Sequence, residues 1–71
     1  MFFVSVAFVT PDGVAIGTAF NRSPKKAWRQ AADNAEDELL SGKFGGCPSV
    51  GMEWCTMLSP YGRRIYSGPL S

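Results

Sequence analysis

The chain has 71 residues, 45% of them apolar and 18% charged, with a formal net charge of +1. That apolar content excludes a disordered segment. The near-neutral balance excludes a global field able to hold nucleic acid or an anionic membrane. The sequence has no histidine, which removes the commonest general base and the commonest metal ligand.

Residues 2–10, FFVSVAFVT, read as a first strand. Its alternation puts Phe2, Val4, Val6, Phe8 and Thr10 on one side and Phe3, Ser5, Ala7 and Val9 on the other. The apolar stretch from Met1 to Val9 is too short to span a bilayer and lacks the basic start of a signal peptide. The expected compartment is therefore the cytoplasm, where Cys47 and Cys55 are reduced thiols.

Pro11-Asp12-Gly13 is turn chemistry, and residues 14–20, VAIGTAF, return as a second strand. A three-residue loop over Pro11–Gly13 pairs Phe8 with Ile16, Val6 with Thr18 and Val4 with Phe20. This register gathers the large apolar side chains on one face, so it is the expected one.

Ser23-Pro24 marks a helix start: serine as the N-cap, and proline where its missing N–H costs nothing. The helix is expected over 24–41, with Trp28, Ala31, Ala35 and Leu39 as its buried stripe, Ala27 and Ala32 beside it, and Gly42 as its stop. Residues 43–49 form a loop. Residues 50–58 read as a third strand, with Val50, Met52, Trp54, Thr56 and Leu58 on one side; Trp54 is expected to pack under the helix with Val4, Val6, Phe8, Ile16 and Phe20. Ser59 to Gly62 is a second turn. Residues 63–67 are a short fourth strand, ended by Gly68-Pro69 because proline cannot continue a central ladder. Ile65 is expected opposite Thr56 or Met57. The fold class is α+β: ββαββ, one domain with a four-stranded antiparallel sheet and a single helix on one face.

The helix charges oppose its dipole. Lys25, Lys26 and Arg29 crowd the positive end, and Asp33, Glu36, Asp37 and Glu38 the negative end. Arg22, Lys25, Lys26 and Arg29, joined by Arg63 and Arg64, form a basic patch suited to an acidic protein surface or a phosphate backbone. Arg29 can pair with Asp33 one turn on. The second candidate surface is the sheet face away from the helix, assigned to Phe3, Ala7, Val9, Ala15, Gly17 and Ala19. It is apolar where an exposed antiparallel face is ordinarily polar. On this assignment Ala7→Glu or Gly17→Glu should leave the fold intact and abolish association.

Catalytic chemistry finds no constellation here. Two cysteines are too few for a structural zinc site, and Gly45-Gly46 lacks the Lys and Ser/Thr of a phosphate loop. No catalytic residue, metal or cofactor is expected. The expected role is a small non-enzymatic protein-binding module, an adaptor or inhibitor of a larger complex, of the kind that phages and other mobile elements encode. The expected partners are another protein and a second copy as a homodimer, with no membrane. A nucleic-acid-binding accessory protein using the basic helix start is the second reading, and a self-associating structural protein the third.

Overall fold

The computed structural model describes residues 1–45 and 49–70. Strand β1 runs over Phe2–Thr10, β2 over Gly13–Asn21, helix α1 over Pro24–Leu39, β3 over Met52–Leu58 and β4 over Arg64–Pro69. One antiparallel sheet holds all four strands in the order β2-β1-β3-β4. The helix links β2 to β3 and packs on one face, mainly over β2 and β1. The ββαββ arrangement expected from the sequence is the one observed. No helix among the described residues is long and apolar enough to cross a membrane.

The first hairpin differs from expectation by one residue. Thr10 pairs with Gly13, so the loop is Pro11-Asp12 alone, and Phe8 pairs with Ala15, Val6 with Gly17 and Val4 with Ala19. The Thr10 hydroxyl locks this turn, donating to the Gly13 carbonyl and accepting from the Asp12 N–H. Gly13 takes a positive φ that other residues rarely adopt. The slip turns every β2 side chain over. Ala15, Gly17 and Ala19 lie beneath the helix; Val14, Ile16, Thr18 and Phe20 face away from it.

The physical reason is the closeness of the helix to β2. A Cβ built on Gly17 would collide with the backbone N of Ala35 and the carbonyl O of Ala31. Residues as large as Ile16 or Phe20 cannot sit at that distance. The helix matches with small residues of its own: Ala27, Ala31 and Ala35 are fully buried, and Leu39 continues the line. Ala27 thus joins the central stripe, and Trp28 packs at its flank. Asn34 Nδ2 donates to the Thr18 carbonyl across 2.9 Å, tying helix to strand. The Ser23 side chain caps the first turn by accepting from the Lys26 N–H at 3.4 Å, with Pro24 just inside the helix. The helix ends at Leu39 with Leu40 as C-cap, two residues before the expected Ser41.

The third strand also presents the face opposite to the expected one. Cys55 and Met57 are buried toward the helix, while Met52 and Trp54 are exposed on the other side. The core is therefore Val4, Val6, Phe8, Cys55, Met57 and Leu39 packed among alanines. In the second hairpin Thr56 pairs with Ser67, Met57 with Tyr66 and Leu58 with Arg64. A register shift at Met57/Leu58 leaves Ile65 opposite neither expected partner. β4 continues through Gly68 and Pro69 because it is an edge strand, where proline is tolerated.

Candidate interaction surface

The observed registers order the uncovered face of the sheet into rows that cross the strands. Phe20, Phe3 and Leu58 form one row, which ends on Arg64 at the β4 edge. Thr18, Ser5, Thr56 and Ser67 form the next. Ile16, Ala7, Trp54 and Pro69 follow, then Val14, Val9 and Met52. One row is entirely hydroxyl, and the other three are apolar except for Arg64 at the edge.

This face holds most of the exposed large apolar side chains among the described residues. Phe20 is 62% exposed, Ile16 55%, Met52 54%, Val14 48% and Trp54 40%. Phe3 and Phe20 form a tilted aromatic pair with ring centroids 4.8 Å apart, the spacing at which such pairs attract. The helix-facing side, by contrast, is lined on β2 by two alanines and a glycine. Hydrophobic burial scales with area removed from water, so the molecule leaves much of its largest potential gain unrealised.

Of the six residues assigned to this face from sequence, Phe3, Ala7 and Val9 lie on it. Ala15, Gly17 and Ala19 do not: they are the floor on which the helix rests, so Gly17→Glu would disrupt the fold. Val14, Ile16, Phe20, Met52, Trp54 and the hydroxyl row were missed. One signal was available. Ala15, Gly17 and Ala19 match the Ala27, Ala31 and Ala35 spacing of the helix, and small residues facing small residues mark a close approach.

The basic patch is divided. Lys25 and Arg29, with Pro24, Trp28 and Met57, line a shallow groove of about 430 Å³ on the helix side of the sheet. Trp28 stacks at a tilt on Tyr66, centroids 5.3 Å apart. Arg22 and Lys26 are exposed at the helix start but do not line the groove. Arg63 and Arg64 sit at the same end of the sheet on its far edge, three strand spacings from β2, roughly 14 Å away. The expected Arg29–Asp33 pair does not form. The ion pair among the described residues is Lys43 with Glu38 at 2.8 Å, which draws charge away from neither cluster's centre.

Cys55 is fully buried, and burial pushes its thiol above the ordinary 9.0. A buried, protonated thiol is a poor nucleophile. Cys47 and Gly46 lie outside the described residues. Among the described residues no group of three His, Cys, Asp or Glu side chains could hold a metal ion. No protein-family model, curated protein or solved structure matches this chain.

Proposed function

We propose that this chain is a small non-enzymatic protein-binding module, an adaptor or inhibitor, and that the uncovered face of its sheet is the contact surface. One observation carries the reading: on β2 and β3 the larger apolar side chains Phe20, Ile16, Trp54 and Met52 stand exposed on the uncovered side. Large exposed apolar patches mark contact sites. The cores of protein–protein interfaces are depleted in charge and enriched in aromatic residues and methionine, as Phe3, Phe20, Trp54 and Met52 are here. Thermodynamically, the face supplies affinity and the polarised helix supplies orientation and on-rate. A cytoplasmic setting suits a chain whose buried Cys55 stays a free thiol.

Nucleic acid is the weaker reading. The contact face carries a single cation, Arg64, at its β4 edge. The cations by the groove lie on the same helix as Asp33, Glu36 and Asp37, which would repel an extended polyanion. Single-strand binders need a continuous basic track beside their stacking aromatics.

The test is affinity capture on the tagged chain from nuclease-treated host lysate mixed with untagged chain. Captured protein, whether another host protein or the untagged chain, should survive nuclease and salt, disappear with Ile16→Glu, and persist with Lys25→Glu/Arg29→Glu. Capture that ignores Ile16→Glu, or that vanishes on nuclease treatment, would overturn the reading.

A further inference from the structure

Resting on the reading that the uncovered face is a contact surface, we infer that its occupant is a second copy of the chain. The two copies pack sheet to sheet about a two-fold axis that lies along the row Thr18, Ser5, Thr56 and Ser67.

The argument begins with what a two-fold contact demands. An isologous interface brings the same patch against itself, so every group must tolerate its own kind or the group symmetry places over it. A charged face fails, because like charges meet. The one charged member of this face, Arg64 at the β4 end of the Phe20 row, comes over Pro69 of the partner subunit and not over its own copy. A hydroxyl is both donor and acceptor, so a row of four hydroxyls satisfies a copy of itself. An axis along any other row sets these hydroxyls against Phe, Ile, Trp or Val and leaves buried polar groups unpaired, which is costly; an axis parallel to the strands returns the row to itself but sets Phe20 over the charged Arg64 of the partner subunit.

Axis placement then fixes the rest. Rotation about the hydroxyl row exchanges the two rows that flank it. Phe20 comes over Ile16 of the partner subunit, Phe3 over Ala7 of the partner subunit, and Leu58 over Trp54 of the partner subunit. The central pair is large against small. Ala7 sits between Ile16 on β2 and Trp54 on β3, which makes it the floor of a depression flanked by two large side chains. The phenyl ring of Phe3 is the projection that fits it.

Area agrees. The three rows that overlap across four strands, about 20 Å by about 19 Å at the usual rise and spacing, give a matched face of the order of 500 Å² once side-chain relief is included. Two such faces bury roughly 1,000 Å², the size of the weaker specific interfaces. A dimer of roughly micromolar affinity is the expectation. Stability gives the same direction. A 71-residue domain buries only about 60% of its unfolded surface, and here the buried part is rich in alanine. Sheet-on-sheet packing supplies the second core that the helix side lacks.

The experiment is sedimentation equilibrium of the intact chain with isotope-filtered NOE spectroscopy on a half-labelled sample. The wild type should dimerise near micromolar concentration and show intermolecular NOEs from the Ala7 methyl to the Phe3 ring. Ala7→Phe and Phe3→Ala should each weaken the dimer about tenfold or more while circular dichroism stays native. The double variant Phe3→Ala/Ala7→Phe, which exchanges projection and depression, should recover most of the loss. A wild type that remains monomeric at hundreds of micromolar overturns the inference. Capture of another protein through the face, lost with Ile16→Glu, would then leave the broader reading standing. A dimer whose intermolecular NOEs join the exposed edges of β2, or a double variant weaker than both singles, overturns it as well.

Discussion

On β2 and β3 the two faces of this sheet have opposite size distributions, large outward and small inward, whereas β1 keeps Val4, Val6 and Phe8 inward. Toward the helix, β2 shows Ala15, Gly17 and Ala19; away from it, the same strand shows Val14, Ile16, Thr18 and Phe20. On β3 the helix side holds Cys55 and Met57 and the far side Met52, Trp54 and Leu58. A face that must admit a helix at backbone contact is sorted by steric limit, and a face that awaits another surface is sorted by the area it can offer. Apolar character by itself therefore does not identify the interior of this molecule. The distance of the opposing layer does.

The most severe test of this contrast is Gly17→Ala. One added methyl meets the Ala35 and Ala31 backbone, and backbone cannot step aside as a rotamer can. The expected cost is about 3 kcal/mol or more, read as a lowered urea midpoint. A cost under about 1 kcal/mol would mean that helix proximity does not sort the strand.

Methionine offers the same side chain on both faces of one strand. Met57 is buried and Met52 is 54% exposed. Met57→Ala should lose about 2–3 kcal/mol, and Met52→Ala less than about 1 kcal/mol when measured at dilution below association. Equal losses at dilution would erase the distinction between the faces.

Concentration sharpens the contrast further. The melting temperature of the wild type should rise with protein concentration, as mass action requires of an associating chain. Ile16→Glu should flatten that dependence with little change in the dilute value. A wild-type melting temperature independent of concentration would count against self-association.

The smallest effect concerns the helix-side thiol. Burial raises Cys55 above 9.0, so the folded state keeps a proton that the unfolded state releases. Stability from this source is complete below pH 9.0 and declines as pH rises from there toward the folded value. Urea midpoints at pH about 8 and about 10 should fall further for the wild type than for Cys55→Ala. A matching fall in both would assign the alkaline loss to other groups.

Much of the architecture was legible along the chain. Alternation in FFVSVAFVT, the Ser23-Pro24 start and the Ala31, Ala35, Leu39 spacing are local signals, produced by strand pleat, capping and helical period. They specify element type and order. Phe3, Ala7 and Val9 were also placed correctly, because β1 carries a sharp contrast between its two sides. The face of β2 was misread because the pairing that gathered large side chains looked like the buried one. The β3 face was misread for the same reason, through Trp54.

What the sequence determined by itself is which elements form and in what order, since those choices depend on neighbours a few residues away. What only the tertiary structure decided is which side of β2 and β3 looks inward. That choice turns on one residue of register at Pro11-Asp12 and on how near the helix comes to Gly17. The hydroxyl row depends on it entirely: Thr18, Ser5, Thr56 and Ser67 come from four separate strands, and they align only when all three ladders have taken their register.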